Sequence, residues 1–252
     1  VQHGLSSAAM FQADGKVVQP ADMLYKKAVL VERSRFRPPT RLTMSLLDCS
    51  YQAFSKDASL GADDIIVLSE MTLHNLGQGE DIDVQDFLQR AEILCALGKH
   101  VLISDYGEFY RLAQYLSGFT RMPIGVALGV PTLLQVFNEK YYEDLGGGIL
   151  ESFGRLFKND LRLYVCPCLD RESGELTTVH NLQVEQHLTH LYKHLLENGY
   201  IRELEAVDKS KLSIYSHDVL EKIRRGEPDW KDMVPETVAD IILEKRLFDC
   251  KG

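Results

Sequence analysis

The chain is 252 residues long, 45% hydrophobic and 26% charged, enough for one substantial core and close to the size at which chains divide into domains. Its formal net charge of -9 argues against an extended nucleic-acid-binding face, while a local basic pocket stays compatible with it. No run approaches the roughly 18 consecutive apolar residues of a membrane span, so a soluble protein without membrane or nucleic-acid partners is expected. Five cysteines at irregular positions (Cys49, Cys95, Cys166, Cys168 and Cys250) make no disulfide framework and point to a reducing, cytoplasmic compartment.

Residues 1–26 read as an amino-terminal arm or hairpin: a mild apolar run, Gly4 to Phe11, precedes the turn signal Asp14-Gly15. The first residue is Val1 and no signal-peptide pattern follows, which suggests processing or excision from a longer chain, with a missing upstream domain or a second copy as partner. From residue 27 strands and helices alternate. Ala28 to Glu32 precedes a helix over Leu42 to Phe54, Ile65 to Ser69 precedes Val84 to Leu97, and Val101 to Asp105 precedes Phe109 to Leu116. A fourth strand, Ile124 to Leu128, leads into a helix over Thr132 to Phe137, and a helix over Ile149 to Phe157 enters a fifth, Leu161 to Val165. These units predict an α/β domain over 27–169: an open, largely parallel, Rossmann-like sheet of about five strands with helices on both faces. Residues 170–252 read as a helical extension packed on it. Asp170 to Glu175 forms a hairpin tip, Leu182 to Asn198 a long amphipathic helix closed by Gly199, and His217 to Arg224 and Val234 to Leu247 two shorter helices.

An open parallel sheet gathers its chemistry at the carboxyl ends of its strands, and the first strand-to-helix turn is a common anion corner. Here that turn carries Arg33, Ser34, Arg35 and Arg37, which read either as a phosphate-binding corner or as a capped, salt-bridged turn. Glu32, Glu70 and Asp105 stand at three successive strand ends. Glu70 and Asp105 are the candidates for catalysis and for holding Mg²⁺, which needs few carboxylates beside phosphate and water. The competing reading pairs these acids with the arginines. Tyr106 and Tyr110 are aromatic candidates for the crevice, with core packing as the alternative, and Asp105 with Glu108 fits a capping box. His187, His190 and His194 read as boundary histidines ahead of a metal site. Cys166-Pro167-Cys168 lacks redox spacing, and Gly146-Gly147-Gly148 lacks the lysine and hydroxyl of a P-loop, so a flexible connection is expected there.

Several stretches together carry a family resemblance: Tyr25 to Arg33, Phe36-Arg37-Pro38, Glu70-Met71-Thr72, Leu102 to Tyr106, Tyr141 to Leu145 and Gly154 to Asn159. Over nearly its whole length the chain resembles the carboxy-terminal half of a bacterial family of longer proteins sometimes labelled nicotinate-nucleotide adenylyltransferase-like. The resemblance implies nucleotide binding at the first seam, where Ser34, Phe36 and Pro38 are similar to the nucleotidyltransferase turn. Thr40 and Thr43 stand where that class has its two triphosphate-binding histidines, and Leu42 where it has glycine. Its Ser/Thr-rich phosphate loop has no visible counterpart near the carboxy terminus. Two functions follow. One is an enzyme handling a nucleotide or small phosphorylated metabolite, such as an adenylyl transferase with a degenerate motif, in which the arginines hold phosphates. The other is a non-catalytic ligand-binding or assembly domain on the same scaffold.

Overall fold

A computed structural model describes residues 1, 6–74, 83–170 and 173–250. Gly4 and Leu5 of the expected amino-terminal run, and Arg171 and Glu172 of the expected hairpin tip, lie outside the described residues. In chain order the elements begin with β1 (Ala8–Phe11), β2 (Val17–Val18), α1 (Pro20–Leu24), β3 (Ala28–Arg33) and α2 (Arg41–Ala58). Next come β4 (Ile65–Thr72), α3 (Val84–Ala96), β5 (His100–Ser104), α4 (Phe109–Ser117), β6 (Ile124–Gly129) and α5 (Val130–Val136). The remainder is α6 (Gly148–Leu156), β7 (Arg162–Cys166), β8 (Cys168–Leu169), β9 (Leu176–Thr177), α7 (Thr189–Glu197), β10 (Ile201–Glu203), α8 (Ser216–Arg225) and α9 (Glu236–Lys245).

Among the described residues eight strands form one sheet in the order β10-β7-β6-β3-β4-β5-β1-β2. The five expected strands are its parallel centre. Three more extend it beyond the expected count: β10 joins β7 in parallel, and the β1–β2 hairpin, turned at Gly15 with φ +81°, adds antiparallel to β5. The sheet is therefore mixed, with helices on both faces. Strand order reverses beside β3, whose neighbours are β4 and β6, so the crevice of a doubly wound sheet opens at the carboxyl end of β3.

Side-chain alternation divides the core. Val29, Val31, Leu68, Leu102, Val126 and Val165 face α4, α5, α6 and α7. Ala28, Leu30, Ala127 and Tyr164 face α2, which approaches closely over Gly125: a Cβ there would lie 2.9 Å from Phe54 and 3.0 Å from Leu30. Met71, Val101 and Ile103 face α3 on the same side. Outside α3, helices α8 and α9 close a further cluster around Trp230 that reaches Ile93. No helix among the described residues is long and apolar enough to cross a membrane.

The long helix expected over Leu182 to Asn198 is shorter, because α7 begins at Thr189 behind a 3-10 turn at Gln186–Leu188. Side chains hold the preceding segment in turns. Asn181 accepts from the Thr178 amide at 2.7 Å and donates to the Leu176 carbonyl at 2.9 Å, and Glu203 accepts from the Val179 amide at 3.0 Å. Such local bonds compete with helical ones. Gly199 does close the helix, at φ +71°.

Candidate functional site

The loop leaving β3 is fixed by an apolar plug. Phe36, at φ +48°, is buried among Met71, Ala91, Leu94 and Val101, and its neighbours Arg35 and Arg37 flank that anchor on the protein surface. Arg90 of α3 donates to the Arg35 carbonyl at 2.7 Å and pairs with Asp86 at 2.6 Å, fastening the loop to the helix. Burial lowers the pKa of Arg90 and Asp86 opposes that shift. The same carboxylate lies 3.1 Å from Arg37 Nε.

Arg33 occupies the last position of β3 and is in register with Glu70 on β4. Nε and Nη2 of Arg33 donate to the two Glu70 oxygens at 2.5 and 3.1 Å, Nη1 donates to the Gly107 carbonyl at 2.5 Å, and the guanidinium stacks on Phe109 at 4.5 Å. Ser104, at the end of β5, donates to Glu70 at 2.5 Å. Glu70 is 0% exposed and the Arg33 side chain 8%. This is a closed, charge-assisted network of the fork-to-fork kind.

A cavity of about 520 Å³ opens beside it. The end of β3 and the loop after it contribute Arg33, Ser34, Arg35 and Arg37, while Thr72 comes from the end of β4 and Gly107 from the loop between β5 and α4. Thr132 and Gln135 enter from α5, and Ser216, His217 and Arg224 from α8. Four arginines and one histidine thus line it, with no carboxylate among the described lining residues. Helix α8 is tied over the loop by a hydrogen bond from Ser216 Oγ to the Pro38 carbonyl at 2.9 Å, and Tyr215 donates to the Leu169 carbonyl. Arg224 pairs with Asp249 at 3.2 Å. The α8 residues were not among the expected site residues: Ser216, His217 and Arg224 look like the polar face of a surface helix, and they reach β3 through the cluster α8 shares with α9 and Ile93 and through the Ser216 bond to Pro38.

The other expected residues separate. Glu32 projects from the face opposite Glu70, because the two are one residue out of register across β3 and β4. Burial raises the Glu32 pKa to about 8, with Lys99 opposing and Asp48 adding to the shift. Asp105 lies at the surface, 3.3 Å from His74. It caps no helix: α4 starts behind Glu108, which pairs with Arg111 at 3.0 Å. Glu70 and Asp105, expected to hold a Mg²⁺ between them, are each turned to a different partner. Both oxygens of Glu70 are engaged by Arg33 and Ser104, Asp105 turns to His74, and no group of three metal-ligating side chains occurs among the described residues. These residues do not fit a resident metal.

Tyr106 packs on Tyr115 at 5.1 Å and Tyr110 is buried near Tyr142, so neither ring faces the cavity. Thr40 and Thr43, the expected histidine substitutes, form the capping box of α2: the Thr43 amide donates to Thr40 Oγ1 at 3.2 Å and the Thr40 amide to Thr43 Oγ1 at 3.3 Å. Thr40→Ala should cost about 1 kcal/mol in urea denaturation, as the loss of an N-cap does, while leaving ligand affinity unchanged. An affinity loss without a stability loss would return Thr40 to the binding site. The glycine run is likewise satisfied internally, since Glu151 accepts from the Gly147 amide at 2.8 Å. His187 pairs with Glu139 at 2.5 Å and His194 lies 3.2 Å from Asn198.

No protein-family model matches this sequence, and no curated protein matches it. Among solved structures the chain is similar to Plasmodium falciparum nicotinic acid mononucleotide adenylyltransferase complexed with NaAD, with TM-score 0.50 and 12% identity over 89% of this chain and 98% of that one. The same enzyme complexed with APC gives TM-score 0.46 and 12% identity over the same shares. At 12% identity the likeness to the first of these is one of fold alone.

Proposed function

We propose that the cavity at the end of β3 binds the phosphates of a nucleotide or a small phosphorylated metabolite, and that the chain is a nucleotidyl transferase. The observation that carries this is the convergence of Arg33, Ser34, Arg35, Arg37 and Arg224 on one cavity whose described lining holds no carboxylate. Arginine matches phosphate oxygens in direction as well as charge. Transfer of a nucleotidyl group asks for alignment of the attacking and leaving oxygens and for stabilisation of charge developing on the leaving group. In this reading Arg35 and Arg37 hold the leaving polyphosphate, Arg33 and Ser34 orient the reacting end, and Glu70 keeps Arg33 in place through the bidentate pair. The fold shared with an adenylyltransferase supports nucleotide handling of this general kind. The reading extends to a bacterial, cytoplasmic enzyme, and the five free cysteines support a reducing compartment.

A second reading, a non-catalytic ligand-binding or assembly domain, is favoured by Thr40 and Thr43, whose hydroxyls are consumed by the α2 cap where a transferase of this class has imidazoles. Calorimetric titration separates the readings. Arg35→Ala and Arg37→Ala should each weaken ATP binding by one to two decades, the equivalent of a charge-assisted contact of roughly 1.5 to 3 kcal/mol. Both variants should melt close to the wild type, since Arg35 is exposed and Asp86 keeps its pair with Arg90 when Arg37 is removed. Pyrophosphate release from ATP and a mononucleotide supports the transferase; binding without turnover favours a non-catalytic ligand-binding domain; no binding of any nucleotide removes the transferase and leaves the assembly domain.

A further inference from the structure

We infer that the cavity reads the phosphate chain of its ligand and is indifferent to the base. This rests on the phosphate-binding reading above and narrows it. A pocket that selects a base offers a ring to stack on, or several donors and acceptors placed along the base edge. The only phenyl or phenol ring on the described lining is Phe109, which is 3% exposed. The guanidinium of Arg33 covers one side of that ring at 4.5 Å, and the ring belongs to the main core cluster. Neither face is left for a base. Tyr106 and Tyr110, the other aromatics of this segment, are drawn away against Tyr115 and Tyr142. His217 is turned to acids of its own helix, 2.8 Å from Asp218 and 3.7 Å from Glu221.

The remaining lining groups suit oxyanions and sugar hydroxyls. Ser34 and Thr132 carry hydroxyls, while those of Thr72 and Ser216 already donate to the Tyr106 and Pro38 carbonyls; the four arginines carry charge, and among the described lining side chains only Gln135 has the amide donor and acceptor that match a base edge. Recognition is thus concentrated in groups common to every nucleoside triphosphate. Affinity should follow the number of phosphates and not the identity of the base.

The test is competition for the wild-type protein at fixed ionic strength, with ATP, GTP, CTP, UTP, inorganic triphosphate, AMP and adenosine as the probes. Stacking of a base on an aromatic ring is worth roughly 5- to 150-fold in affinity, which sets the scale. The four triphosphates and inorganic triphosphate should fall within about fivefold of one another, AMP should be weaker than any of them, and adenosine should not compete. A spread beyond about fivefold among the nucleoside triphosphates, ATP exceeding inorganic triphosphate by that margin, or competition by adenosine overturns base indifference and leaves the phosphate reading standing. Failure of every phosphorylated probe overturns both.

Discussion

Arg33→Ala should lower the stability of the protein by about 3 to 5 kcal/mol, the largest effect expected of any substitution in the candidate site. The reason is the partner left behind. Glu70 is fully buried, and without Arg33 its charge would have only the Ser104 hydroxyl at 2.5 Å among its described side-chain partners. The Gly107 carbonyl would also lose a donor, and Phe109 its stacked guanidinium. Glu70→Ala should be costly for the complementary reason, an arginine stranded at 8% exposure. Replacing both residues with apolar side chains of similar volume should recover much of the loss, because an intact buried pair stabilises little relative to a well-packed apolar one. Urea denaturation of the two single variants and the double variant measures this as a thermodynamic cycle. A loss below about 1 kcal/mol in Arg33→Ala would show that the pair is wetter than its geometry indicates.

The same network explains how the sequence reads so well in places and fails in others. The strands β3 to β7 are legible because each is a run of Val, Ile and Leu that a parallel sheet buries on both faces. β10 is not, since Ile201-Arg202-Glu203 has a single apolar residue and gains its place from pairing with β7. The arginine corner is legible from its position in the first strand-to-helix seam. What the sequence leaves open is which arginine serves structure and which faces the cavity. Arg33 does both, through its register with Glu70, whereas Arg35 and Arg37 take their places from Phe36 turning into the core. Thr40 and Thr43 illustrate the opposite case. Their three-residue spacing fits both a histidine-like binding pair and a helix cap, and only the hydrogen-bond geometry separates the two. The contribution of α8 depends on contacts nearly two hundred residues apart in sequence, such as Ser216 with Pro38, which no local pattern announces.

Glu32→Gln should stabilise the protein increasingly as pH rises from about 5 to 8, and it tests the face of the sheet that the cavity does not use. Glu32 is 3% exposed on the α2 side of β3, and its Oε2 is buried without a hydrogen-bond partner. Ser69 Oγ, on its register neighbour, and Ser50 Oγ of α2 are buried and unpartnered as well, so little in this layer solvates a negative charge. The ordinary carboxyl value of 4.5 is accordingly raised to about 8. Below 4.5 the folded and unfolded chains both hold the proton, and the group gives no pH dependence. Between 4.5 and 8 the folded protein keeps a proton that the unfolded chain has released, so this group's contribution falls with pH and levels off once the folded carboxyl also ionises. The accumulated loss is on the order of a few kcal/mol. Glutamine keeps the shape and removes the titration. Urea midpoints of wild type and variant at intervals from pH 5 to 8 should therefore diverge, the variant being the more stable at the alkaline end. Paired exposed carboxylates elsewhere produce a trend of the opposite sign in both proteins, so the quantity to follow is the difference between them. A difference that stays constant across this range would mean that Glu32 ionises near its ordinary value, and that water or a rearranged Lys99 reaches it inside the α2 layer.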